Sequence, residues 1–202
     1  MASFRVKNIE IYLSELFLFA LIFLGKLTEE KVIICLFSTC FIHEMGHIFA
    51  LNVANEKISK IKFTISGIII VPENRLKKFG TEIFILIFGP FFNIISGLVI
   101  LNLNREAGCF SLITGIFHLF PLQILDGGRI LFNIFAIKSG LEKAEKQAIL
   151  VNNISVLIIF TFLFVFQVKN VVLYVILALN VRKSGRFISK VTKNMSGFTK
   201  IK

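Results

Sequence analysis

The chain has 202 residues, 55% of them hydrophobic, and a mean hydropathy of +0.82, which excludes an ordinary soluble domain. Its apolar stretches are long and recur, so the composition describes an all-α polytopic membrane protein. A net charge of +11 would suggest nucleic acid in a soluble protein. Here basic loops that set topology and meet anionic lipid head groups account for it, and no direct nucleic-acid partner is expected.

Six apolar segments follow one another. The first, Ile11 to Gly25, is short. Glu10 and Glu15, with no clear cleavage site nearby, argue against a cleaved signal peptide. The second, Val32 to Val53, has a single charged residue, Glu44, inside His43-Glu44-Met45-Gly46-His47. A charge near the bilayer centre costs a few kcal/mol or more, so an intramembrane Glu between two His marks a functional site. On a helix, positions i and i+4 share a face. His43 and His47 can then bind one metal ion, zinc (Zn2+) by ligand type, with Glu44 beside it as general base. That is the zinc-hydrolase pattern H-E-x-x-H.

After it, Lys57 to Pro72 is rich in β-branched and aromatic residues, with Gly67 at a turn position. It reads as a small membrane-associated β-hairpin. The third segment, Phe79 to Leu103, contains Gly89-Pro90 and Asn93. The fourth, Gly108 to Ile137, is expected to break at Pro121 and again at Asp126-Gly127-Gly128. The fifth runs from Ala148 to Phe166, and the sixth, Val171 to Val181, is the shortest. Lys138 to Gln147 is amphipathic and belongs at the surface.

Cys35, Cys40 and Cys109 are isolated and read as reduced packing residues. With Trp absent, no Trp belt marks the interfaces, and with two Tyr the aromatic-belt signal is weak. Six spans put both termini on one side. Eighteen Lys and Arg then fall on that side and four on the other, with Arg129 left inside the fourth segment, so both termini are expected in the cytoplasm. The domain reading is one transmembrane unit over 1–181, with its core at 32–137 and the hairpin at 57–72, followed by a basic cytoplasmic tail at 182–202.

Two His are an incomplete catalytic zinc site, which takes a third protein ligand and keeps one position open. The chain holds a single Asp, Asp126, in Pro121-Leu122-Gln123-Ile124-Leu125-Asp126-Gly127-Gly128. Irregular backbone at membrane depth is tolerated where it is buried in protein or lines a wet cavity. A carboxylate on such a break would complete the set. The bland alternative is a polar loop between two shorter helices.

Together, His43-Glu44-x-x-His47, Gly89-Pro90-x-x-Asn93 and the run from Phe117 to Gly128 resemble the site-2 proteases, which are intramembrane zinc metalloproteases. The likeness is greatest to the small bacterial branch typified by the stage IV sporulation protein FB, which processes a sigma-factor precursor. The resemblance covers roughly Ser38 to Phe132, a three-span catalytic core. It implies His43, His47 and Asp126 as zinc ligands and Glu44 as catalytic base. It implies a membrane-embedded or membrane-tethered protein substrate, such as a sigma-factor precursor, and inhibitory membrane proteins as partners. The location implied is a bacterial cytoplasmic membrane, or the membrane that surrounds a forespore.

Asn93 and His118 are candidates to steady an unwound substrate. The family usually has Asn where this chain has His118, and Pro-Leu-Asp-Gly or Asn-Pro-Asp-Gly where it has Ile124-Leu125-Asp126-Gly127. His118 could act as a hydrogen-bond donor to substrate or to an oxyanion, as a spare ligand or as a core residue.

Three other readings compete. A membrane zinc protease with a downstream Glu ligand would have to use Glu82 or Glu106, both at span ends. A divalent metal-ion transporter would spread polar residues over several spans and often show repeated halves. A catalytically silent scaffold would have no need of Glu44.

Overall fold

The computed structural model describes residues 2–6, 9–64, 67–73, 78–167 and 177. Two compact units divide the chain, Met1–Phe117 and His118–Lys202.

The first unit begins with two strands, β1 (Ala2–Val6) and β2 (Ile9–Leu13). This corrects the first apolar segment, whose expected start at Ile11 lies inside β2. Ile9, Ile11 and Leu13 alternate with Glu10 and Tyr12, a period of two that suits a pleated strand. Ser14 then ends the strand and caps the next helix, its Oγ accepting from Phe17 N–H at 3.1 Å. That helix, α1 (Glu15–Leu27), has 13 residues. Its length is about 20 Å, short of a hydrocarbon core of about 30 Å.

Helix α2 (Glu30–Val53) follows, then β3 (Ile58–Thr64) and β4 (Gly67–Pro72). The expected hairpin is present: β3 and β4 pair antiparallel, from Thr64 opposite Gly67 to Ile58 opposite Pro72, with a bulge at Ser59. It forms half of a four-stranded sheet in the order β1-β2-β3-β4. Strand β2 runs parallel to β3. Parallel neighbours need a long crossover, and α1 with α2 supplies it. Glu10 sits opposite Lys60 and bonds it at 2.8 Å, while Tyr12 Oη donates to the same carboxylate at 2.8 Å. The Lys60 hydrogen bond, then that of Tyr12, holds the Glu10 carboxyl below its ordinary range.

Helix α3 (Phe79–Ile100) packs along α2. Ala50, Leu51 and Ile85 form a buried cluster, with Ile58, Ile70 and Phe88 against it, so the sheet is seated on one end of the helix pair. Helix α4 (Arg105–His118) is joined to α3 by hydroxyls: Ser111 Oγ donates to Asn93 O at 2.9 Å, and Ser96 Oγ lies 3.1 Å from Ser111 Oγ.

In the second unit, residues 119–125 are irregular and α5 (Asp126–Ser139) meets α6 (Leu141–Val165) at Gly140. The fourth apolar segment is thus two helices of 14 residues each. A single break separates them, and Asp126-Gly127-Gly128 opens α5 rather than interrupting it. Leu122, Leu125, Val156 and Leu177 form the apolar core here, and Gln123 N–H donates to Asn152 Oδ1 at 2.9 Å. Apart from Leu177, the sixth segment (171–181) and the tail (182–202) lie outside the described residues.

Among the described residues three helices, α2, α3 and α6, are long and apolar enough to cross a membrane. Helix α2 shows why. Phe37, Phe41, Met45 and Phe49 recur every four residues on an exposed face, while Thr39, His43, Gly46 and Ala50 are buried on the other. Apolar outside and polar inside inverts the pattern of a soluble helix and suits a lipid surround.

The approach of α2 to α3 depends on Gly46, because a Cβ there would strike the Phe88 carbonyl oxygen. Gly46→Val is expected to destabilise the protein by about 1–3 kcal/mol or more. An unfolding midpoint in detergent equal to that of the wild type would contradict this packing.

Candidate metal centre

Helix α2 carries His43, Glu44 and His47 over one turn, and α3 presents Gly89 and Asn93 to the two rings. The rings meet edge to face, centroids 4.8 Å apart at 83°. Their Nε2 atoms are 3.1 Å apart. Zinc with Zn–N bonds of 2.0–2.1 Å in tetrahedral geometry separates two nitrogen ligands by roughly 3.3 Å. The pair therefore fits one metal ion.

Each ring has a partner that decides which nitrogen carries the proton. His47 Nδ1 is 2.9 Å from the Ile85 carbonyl oxygen. A carbonyl only accepts, so Nδ1 carries the hydrogen and the neutral ring presents the Nε2 lone pair. A carbonyl behind a metal-binding His is the usual orienting partner. Pro90, inside α3, has no N–H to give Leu86 O, which loosens the helix ladder next to Ile85.

His43 is 4% exposed, and its Nδ1 is 3.3 Å from the amide nitrogen of the fully buried Asn93. The Asn93 Oδ1 has no hydrogen-bond partner among the described residues. If His43 offers Nε2 to a metal, its Nδ1 carries a proton and needs an acceptor. Turning the Asn93 amide over brings Oδ1 to that proton, and amide orientation is set by such networks.

Space for the rings comes from Gly89. A Cβ there would lie 2.5 Å from His47 Nε2 and 2.9 Å from His43 Cε1. Glu44 is half-buried on the same turn of α2.

In the second unit Asp126 is the first residue of α5 and is 8% exposed. The amide end of a helix favours a negative charge. His118, at the end of α4, places Nδ1 3.2 Å from Asp126 Oδ2. Gly127 and Gly128 let the first turn of α5 nest on the chain before it. A Cβ at either would collide with the backbone of Leu119–Phe120 or Leu122.

Thus the first unit brings His43, His47 and Asn93 together, and the second brings His118 to Asp126. Several participants carry no sequence signal as strong as the His pair. The Ile85 carbonyl is backbone and invisible to any motif. Ser96 and Ser111 brace the Asn93 carbonyl. Asn133 and Gln123, 1% and 5% exposed, keep both side-chain amide atoms buried without a hydrogen-bond partner among the described residues. Amides inside apolar segments were the available clue.

A pair of histidines inside an apolar helix is an arrangement that can bind a metal in a membrane protein, and comparison with known proteins narrows the class. No family model matches the chain. A zinc metalloprotease of Methanocaldococcus jannaschii is 33% identical over 129 residues, 57% of this chain and 37% of that protein. The chain thus spans 37% of the length of this curated relative. The solved site-2 protease from Methanocaldococcus jannaschii superposes with a TM-score of 0.65 at 26% identity, covering 92% of this chain and 94% of that one. These likenesses support the site-2 protease family, and with it a zinc metalloprotease integral to a membrane.

Removing the amide behind His43 is expected to weaken zinc retention by about 10–100-fold, the usual cost of losing such a partner. Chelator competition on purified Asn93→Ala measures it, and wild-type retention would refute the role.

Proposed function

We propose that the chain is an intramembrane zinc metalloprotease in which His43, His47 and Asp126 hold the metal and Glu44 is the general base. The observation that carries the reading is the convergence of the two Nε2 atoms at 3.1 Å, with the Ile85 carbonyl fixing the His47 tautomer. Asp126 is the third ligand because it is the chain's one Asp and heads a helix in the segment where the family motif ends.

Zinc held by these residues would polarise a scissile carbonyl and lower the pKa of a water molecule toward neutrality. Glu44 takes the proton from the attacking water and passes it to the leaving amine. A helical peptide has its carbonyls hydrogen-bonded and shielded, so the substrate must unwind. Strand β4 lies at one end of the sheet order and pairs only with β3 among the described residues. An unwound segment can add along its outer side, gaining main-chain hydrogen bonds. Asn93 is a candidate to steady that segment.

The substrate class is a membrane-embedded or membrane-tethered protein, processed by regulated intramembrane proteolysis. The likeness of the motifs to the sporulation branch selects a sigma-factor precursor as the substrate to try first, with inhibitory membrane proteins as regulators. The full topology in this reading is six spans in a bacterial cytoplasmic or forespore-surrounding membrane, both termini cytoplasmic.

Co-expression with a tethered sigma-factor precursor tests the function. The wild type is expected to cleave it, and Glu44→Gln to lower cleavage by at least about 100-fold with zinc retained. Full proteolysis by Glu44→Gln would overturn the mechanism. Asp126→Asn is expected to lose zinc during purification, and unchanged zinc content would remove Asp126 from the site.

A further inference from the structure

The contact between His118 and Asp126 points to a role outside the three that the sequence offered. We infer that His118 is a positioning residue for the Asp126 carboxylate, acting through Nδ1 and not through Nε2. The inference rests on the reading of Asp126 as a metal ligand.

The geometry is specific. His118 Nδ1 lies 3.2 Å from Asp126 Oδ2, within the range of an N–H···O bond. Their side chains are 30% and 10% exposed, so the bond is only partly wetted. A carboxylate ligand needs two things at once: one oxygen on the metal, and a donor that fixes its rotation. Ligating carboxylates are hydrogen-bonded in turn, and such partners set ligand orientation. An ionised carboxylate offers acceptors only, so the bond requires the proton to be on Nδ1.

The backbone around the pair is closed. Asp126 starts α5, whose next two residues press on the chain at Leu119–Phe120 and Leu122. Leu125 N–H donates to Leu122 O at 2.9 Å, which fixes the residue before it. The main chain at Asp126 is thereby held, and the remaining freedom is side-chain rotation. His118 acts on that rotation.

Side-chain geometry supplies a test. In Asn, the amide nitrogen sits as far from Cβ as Nδ1 does in His. In Gln, the amide nitrogen sits about where Nε2 of His lies. His118→Asn therefore keeps the donor to Asp126 and removes everything at Nε2, while His118→Gln does the reverse. A ligand or substrate donor working through Nε2 predicts rescue by Gln; a carboxylate positioner predicts rescue by Asn.

The experiment measures zinc retention against a graded chelator for the purified full chain and for His118→Asn, His118→Gln and His118→Ala, each checked for monodispersity and unfolding temperature. Asn is expected within about 2-fold of the wild type, with Gln and Ala about 10–100-fold weaker. Rescue by Gln and not Asn, or equal retention by all three, overturns the inference. Asp126→Asn is run beside them. If the wild type binds no zinc, or if Asp126→Asn binds it as well as the wild type, the ligand reading itself fails. If Ala does not fold, the comparison of Asn with Gln still decides.

Discussion

The structure of the first unit depends on one constraint: two imidazoles placed on the inner face of an apolar helix must each find a hydrogen-bond partner without water. A buried polar group left unpaired costs about 1–3 kcal/mol, and a membrane supplies no rescue. His47 meets the requirement with the Ile85 carbonyl and His43 with the Asn93 amide, both on α3. Neither bond forms unless α3 comes very close. Hence Gly46 faces the Phe88 carbonyl and Gly89 lies beneath the rings. The glycines, Pro90 and Asn93 therefore form one requirement and not several. The hydroxyls of Ser96 and Ser111 carry the brace one helix further, to α4.

The same constraint explains the burial pattern. Inward faces are small or polar, and the large apolar side chains point outward. On α3 the buried set includes Gly89, Pro90, Asn93 and Gly97, while Ile87, Phe91, Ile95 and Leu98 are exposed. In lipid this arrangement lacks a hydrophobic drive between helices, so close packing through small residues and interhelical hydrogen bonds has to replace it.

The long apolar helices and the His pair were legible in the sequence because each rests on a strong period or spacing. Val32 to Val53 matches α2, Phe79 to Leu103 nearly matches α3, and the β-branched run at 57–72 is the β3–β4 hairpin. The failures have physical reasons. Ile9 to Leu13 alternates over only five residues and adjoins an apolar run, so hydropathy alone merges strand and helix. The two-stranded N-terminal extension of the sheet was hidden for the same reason, since β1 is recognised only through its partner. The second expected break, at Asp126-Gly127-Gly128, assumed that adjacent glycines disrupt a helix. Here they are what lets the helix begin against a neighbouring backbone, and the tertiary contact overrides propensity.

His118 shows how far a motif can carry the reading. From sequence, a His where the resemblance expects Asn is a departure with several meanings. In the structure the two residue types share the feature that matters at this position, a nitrogen one bond beyond Cγ, and it is that nitrogen which faces Asp126. The larger ring brings a second nitrogen that Asn lacks, and the contact with Asp126 is made at the shared one. Each metal-ligand candidate then follows one rule: a second group behind it holds its proton or its angle. Ile85 does so for His47, Asn93 for His43 and His118 for Asp126. Two of these three partners are side chains within an otherwise apolar segment, and the third is the backbone carbonyl of Ile85, next to the Leu86 carbonyl that Pro90 leaves without its helical donor.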